Sequence, residues 1–397
     1  MDVVETLQAL VRIPSVNPMG FEAEGPIYFE GRVTDHLQSL FASWDLPWER
    51  QPVHPGRDNI LVRLEGDASA GEPALLLWEV HQDTVPIEGM TIDPFAATLA
   101  EGKIQGRGSC DVKGTMAAML VALRRLQLAA PRGRPTIVLA CTINEEHGFT
   151  GATHLCQSWS NGSSRLLPRR PDAAIVAEPT LLNVVVAHKG VVRWRLRTGG
   201  RACHSSDPSR GDSAIYRMAR VLGVLEDYAK NVVGALAQHP RVGRPTLSVG
   251  TITGGLSVNT VPAECSIEID RRLIPGENPQ AAFQHVQDYV AAKLPGDVPH
   301  LSHDKPMIIS AGLNDTNNGP LAAAVMASLA RRGRTGELQG VPFGTDATAT
   351  SGAGVPSIVF GPGSIAQAHT CDEWIEVAQL KEAVEIFVDI GSRGISS

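Results

Sequence analysis

The run Ala74-Leu75-Leu76-Leu77-Trp78-Glu79-Val80-His81-Gln82-Asp83-Thr84-Val85-Pro86 decides the fold. Its apolar half reads as a buried strand, and a histidine and an aspartate two residues apart stand at its end. On extended chain, residues i and i+2 point to one side. Asp83 is therefore expected to hold the His81 ring while the other ring nitrogen faces a metal. An isolated H-x-D is more often an ordinary strand end beside an acid, so the weight falls on what the rest of the chain supplies.

Working outward, strand-like runs fall at 59–64, 136–143, 173–177 and 357–360, with helical spacing at 1–11, 31–44, 114–128, 152–159, 313–332 and 377–390. Buried strands alternating with helices predict an α/β layer with a mostly parallel sheet. Between residues 183 and 306 the texture changes to long alternating strands (184–198, 246–253, 263–273) and two helices (212–228, 279–293), a two-layer α+β pattern. The expected organisation is a catalytic domain in two parts, 1–182 and 307–397, interrupted by a smaller domain at 183–306. With 397 residues, two cores are the natural expectation.

A net charge of -7 argues against nucleic acid or an anionic membrane as the main partner, and favours a small solute. No run approaches the ~20 apolar residues of a spanning helix. The start Met1-Asp2-Val3-Val4-Glu5 lacks the basic and apolar pattern of a signal peptide, so a cytoplasmic protein is expected. The six cysteines have no C-x-x-C spacing and suit reduced, structural thiols, although Cys110 and Cys371 lie beside acids.

Four further features join His81. Gly106-Arg107-Gly108-Ser109-Cys110-Asp111 puts an acid in a glycine-rich loop at a helix start, where a helix cap is the ordinary reading. Glu145-Glu146 and Glu178-Pro179-Thr180 each follow a strand, at the edge where α/β enzymes keep their sites. Far downstream, His369 sits in a second glycine-rich loop. Two divalent ions about 3.5–4 Å apart need a bridging carboxylate and terminal N and O ligands. His81, Asp111, Glu146, Glu178 and His369 supply such a set, and Glu145 is left over as a candidate general base.

The ordered motifs H-x-D-x-V-P, G-R-G-x-x-D-x-K-G, E-E-x-G-x-x-G-A, E-P-T, a histidine in the insert, G-G-x-x-x-N-x-V-P, D-x-R-x-x-P-G, G-T-D-A and A-H resemble the M20 family of di-zinc aminoacylases, deacetylases and carboxypeptidases. The resemblance covers roughly residues 8–390. It implies a di-zinc aminopeptidase-like catalytic domain with a ferredoxin-like lid that also serves dimerisation. His81 and Glu178 would bind one Zn2+, Glu146 and His369 the other, and Asp111 would bridge; Co2+ or Mn2+ are alternatives. Asp83 would orient His81, and Glu145 would take the proton of the activated water. His204, from this chain or a partner subunit, would stabilise the oxyanion, while Asn259 and Arg272 would grip a substrate carboxylate; Gly363 belongs to the substrate loop. Arg272, sharing a strand face with Asp270, is preferred over Arg271.

The segment from Gly361 to Trp374 most resembles acetylornithine deacetylases, which implies hydrolysis of the amide of an N-acyl amino acid. Succinyl-diaminopimelate desuccinylase, metal carboxypeptidase or dipeptidase activity, and a non-catalytic binding homologue are the alternatives. Departures from the pattern are Val80 and Thr115 for glycines, Asn144 for an acid, and Glu79 for a small residue. Glu79 is expected to pack beside a compensating charge, or else to tune the metal site or meet a cationic part of the substrate.

Overall fold

The computed structural model describes residues 1–395. Leu75–His81, buried at every position, lies inside an eight-stranded sheet. The order is Trp48–His54, Arg57–Leu64, Thr136–Thr142, Leu75–His81, Ala173–Val176, Ser357–Val359, Val184–His188 and Leu338–Val341. The four strands from Thr136–Thr142 to Ser357–Val359 pair in parallel, with Leu75 opposite Thr136 and His81 opposite Thr142. Their neighbours on both sides are antiparallel, so the sheet is mixed, and the expectation of a mostly parallel one holds only at its centre. Part of the reason is local: Pro55-Gly56 turns Trp48–His54 straight back onto Arg57–Leu64, and so tight a connection admits only antiparallel pairing. That first strand has no apolar signature, and its Pro52 is tolerated because it lies on the sheet edge.

Alternation along Leu75–His81 divides the core. Leu76, Trp78 and Val80 face the layer of helices Val3–Val11, Gly31–Ser43, Lys113–Ala129 and Val377–Arg393, where Trp78 meets Phe387 at 5.2 Å between ring centres. Leu75 and Leu77 face Leu155 and Trp159 of helix Thr150–Ser160. Glu79 and His81 therefore lie on this second side. The helix expected over 313–332 begins only at Gly319, with Pro320 in its first turn; Asn318 instead spends its amide on the carbonyls of Val186 and Ser357.

Contacts divide the chain into two units, one of Met1–Val186, Leu313–Gly340 and residues from Thr345 onward, the other of Ala187–Gly312 with Val341–Gly344. The run 184–198, expected as one strand, is two: Val184–His188 in the large sheet and Gly190–Gly199 in the second unit. In that unit Thr246–Gly254, Glu264–Leu273, Gly190–Gly199 and Leu301–His303 form an antiparallel sheet in this order. Val192, Trp194, Leu196, Ile267 and Ile269 pack against Met218, Val221, Val286 and Val290 of helices Ala214–Asp227 and Pro279–Lys293. Its other face carries Arg193 and Arg195 against Asp270 and Glu268, each pair at 2.6 Å. Among the described residues no helix is long and apolar enough to cross a membrane.

Candidate metal centre

Strand direction brings the chemistry together. His81 ends its strand, Glu145 and Glu146 follow Thr136–Thr142, Glu178 follows Ala173–Val176, and His369 lies in the loop after Ser357–Val359. Because these strands run parallel, all four positions fall at one edge of the sheet. Asp111 arrives from the loop before helix Lys113–Ala129, and its peptide bond to Val112 is cis.

Two sets of donor atoms result, His81–Asp111–Glu178 and Asp111–Glu146–His369, each with all its atoms within 4.8 Å of one another. Asp111 belongs to both. Its Oδ1 lies 3.2 Å from His81 Nε2 and its Oδ2 3.3 Å from His369 Nε2, which is also 3.3 Å from Glu146 Oε2. The donors are the imidazole nitrogens and carboxylate oxygens that zinc and its neighbours accept. Glu146 Oε1 is buried and finds no hydrogen-bond partner, as a ligand atom awaiting a cation would be.

The electrostatics agree with that fit. Burial, then the neighbouring Asp111, pushes Glu146 up to about 7 and holds Glu178 well above the carboxylate range. Glu145 is also raised by burial, with the Glu146 charge adding to it. His369 is raised to about 10 by its contacts with Asp111 and Glu146. Burial opposes a charge on His81, yet its contacts with Asp111 and Asp83 outweigh burial and raise it well above the usual histidine range. Acids in surplus over cations, in a desolvated place, make protons or metal ions obligatory.

A web of amides and acids supports the ligands. His81 Nδ1 lies 2.9 Å from the Asp83 carbonyl oxygen and 3.6 Å from Oδ1 of its carboxylate. That carboxylate accepts from Asn17 Nδ2 at 2.8 Å and from the backbone N–H groups of Glu145 at 3.1 Å and Glu146 at 3.2 Å, so it also fixes the two glutamates. Asn144, at φ +62°, accepts from Asn17 and Arg57 and donates to the His147 carbonyl and Thr150 Oγ1. An acid could not make those donations. Glu30, fully buried, takes a two-pronged bond from Arg57. None of Asn17, Glu30 and Arg57 stood out in the sequence.

Glu79 is buried and has no arginine or lysine partner among the described residues, though the His81 charge acts on it: Oε1 accepts from Thr142 Oγ1 at 2.5 Å, and that hydroxyl lies 3.2 Å from Asp346, a second buried acid. Burial raises Glu79 to about 7 and Asp346 well above its usual range. The aspartate of the G-T-D-A motif, Asp346, thus lies beside Glu79.

Gly363, at φ +91°, leaves no room for a side chain, since a Cβ would stand 2.6 Å from Cys110 Sγ. His204, Asn259 and Arg272 all lie in the second unit. His204 is exposed and pairs with Thr260, and Asn259 accepts at its carbonyl from Ser205 N–H. His204 Nδ1 lies 2.7 Å from Ser206 Oγ and 3.2 Å from the Ser206 backbone nitrogen. Arg272 Nε donates to Asp270 at 2.7 Å, whereas Arg271 is buried on Glu277.

A profile of peptidase family M20/M25/M40 matches residues 77–392. The chain belongs to that family. This M20 hydrolase is 31% identical over 388 residues to an acetylornithine deacetylase of Photorhabdus laumondii, covering 94% of this chain and 92% of that one. Its fold matches an M20 family metallo-carboxypeptidase from Sulfolobus solfataricus with a TM-score of 0.77 at 16% identity, over 99% of each chain. A tripeptidase from Staphylococcus aureus matches with a TM-score of 0.75 at 20% identity, over 98% of this chain and 97% of that one.

Proposed function

We propose that this M20 hydrolase cleaves the amide bond of N-acyl amino acids, in the manner of an acetylornithine deacetylase, with two divalent ions. The observation that carries this reading is one carboxylate, Asp111, shared between two imidazole–carboxylate sets. His81 and Glu178 would hold one Zn2+, Glu146 and His369 the other, with Asp111 between; Co2+ or Mn2+ would suit the same donors. Such a pair, when bound, lowers the pKa of water towards ~7 and polarises a carbonyl.

The remaining work falls to side chains. Glu145, whose carboxylate accepts no hydrogen bond among the described residues, takes a proton from the attacking water and returns it to the leaving nitrogen. The bond broken is C–N, and the products are a carboxylate and an amine. Asp83 keeps both glutamates and the His81 ring in place. His204 would donate from Nε2 to the developing oxyanion, and Asn259 and Arg272 would receive the substrate carboxylate. A homodimer formed through residues 183–306 belongs to the same reading.

The test is a panel of N-acetyl amino acids, N-succinyl amino acids and dipeptides offered to zinc-loaded protein. N-acetyl substrates should turn over fastest. Preference for N-succinyl substrates or dipeptides would replace the deacetylase by a desuccinylase or a carboxypeptidase or dipeptidase, and two bound ions without any hydrolysis would leave a binding protein. The 31% identity to a deacetylase favours the first outcome.

A further inference from the structure

We infer that Glu373 is a positioning residue for the metal centre, setting the shared ligand Asp111 and the loop of His369 in register. Glu373 is fully buried, four residues after His369. Its Oε2 accepts from Arg107 Nη1 at 2.7 Å and Gly108 N–H at 3.0 Å; its Oε1 accepts from Cys110 N–H at 2.9 Å and from Asp111's own N–H at 3.0 Å. One carboxylate thus collects four donors, three of them backbone groups of the loop that delivers Asp111. Its carbonyl oxygen accepts from Gly106 N–H at 2.9 Å, and the next residues, Trp374–Glu376, pair with Lys103–Gln105.

The two loops are 254 or more residues apart along the chain, yet they also touch where Cys110 Sγ donates to the Ser364 carbonyl. These other ties end on backbone flanking the site. Besides the contact of His369 with the Asp111 carboxylate, the tie among the described residues that reaches the residue both donor sets share is the Glu373 carboxylate, which holds the Asp111 backbone. The geometry also leaves no place for an amide: each oxygen faces two donors, so a glutamine would turn an N–H against N–H groups whichever way it is flipped. Removing a residue that orients a ligand typically costs 10- to 100-fold in metal affinity. The loss should be larger for Asp111–Glu146–His369, in which two ligands depend on Glu373, than for His81–Asp111–Glu178, in which one does.

This inference rests on the metal-dependent reading above, and the experiment separates the two. Metal-free wild-type protein and E373Q are titrated with Zn2+ by calorimetry, thermal melts of the metal-free forms are recorded, and kcat and KM are measured on an N-acetyl amino acid. Wild type should take up two ions; E373Q should bind one about 10- to 100-fold more weakly and the other with a smaller loss, with kcat lowered and KM within about twofold. If E373Q does not fold, E373D, which keeps the charge but falls one methylene short, should show the same split in milder form. Two ions bound at wild-type affinity by a variant whose only change is a lower Tm would reduce Glu373 to a packing role and overturn the inference. A wild-type protein that never binds two ions would defeat the metal reading, and this inference with it.

Discussion

Two regions of the molecule handle buried or half-buried acids in opposite ways. On the outer sheet face of the second unit, Arg193, Arg195 and Arg197 each meet an acid across the strands, at 2.6 to 2.9 Å. At the edge of the large sheet, Glu79, Glu145, Glu146, Glu178 and Asp346 crowd together with no arginine or lysine paired to any of them among the described residues. Matched charge is architecture and contributes little free energy. Unmatched charge in a desolvated place has to be held there by the fold, and it marks where a cation and a reaction belong.

The sharpest way to break that contrast is at Glu145. Replacing it by alanine should lower kcat by about 10²–10⁴-fold while both zinc ions remain by elemental analysis; retained turnover would remove it as the base. Next in size is metal removal. If the surplus acids are metal ligands, dialysis against a chelator should lower stability by about 4 kcal/mol for each ion lost relative to protein at a thousandfold excess of zinc over Kd, seen as a drop in Tm that added zinc reverses. A Tm indifferent to zinc would return the acid cluster to the protein's own account.

In the second unit the effects should be smaller and of a different kind. Trp194 Nε1–H donates to His303 Nδ1 at 3.1 Å, and burial lowers His303 to about 4. The unfolded chain binds this proton below about 6.5 and the folded one does not until about 4. Stability should therefore fall as pH drops through that window, by roughly 3 kcal/mol in all. Denaturant curves between pH 7 and 4.5 should show a shallower decline for H303Q than for wild type; parallel declines would acquit the histidine. Smallest of all, a double-mutant cycle on Arg195 and Glu268, whose side chains are about one-third exposed, should give less than about 1 kcal/mol. A coupling several times larger would erase the distinction between the two regions.

The candidate metal ligands that the fold brings together were legible in the sequence because each stands in a short motif at a strand or loop end, and a shared chemistry joins motifs that are weak alone. Their supports were not. Asn17, Glu30, Arg57 and Glu373 act on residues 66 to 263 positions away or more, and nothing local distinguishes them from a turn asparagine, a helix-start glutamate or a solvated pair. Glu79 could be flagged as unusual, but its partner Asp346 lies 267 positions onward, visible only through the fold. Elements failed for local reasons: the edge strand Trp48–His54 has no apolar alternation, and the break at Lys189 is masked by valines on both sides.

The bridge of Val16 to Thr84, with Asn17 reaching Asp83, bears on where this protein can be cut. The family profile starts at residue 77, so a shortened chain begun there would keep all five candidate ligands and Glu145. It would nonetheless arrive without the asparagine, the buried glutamate and the arginine that brace them, and with the two strands at one edge of the sheet gone. For this enzyme the smallest inheritable piece of sequence is shorter than the smallest piece of working matter, and any trimming or fusion should respect the longer of the two.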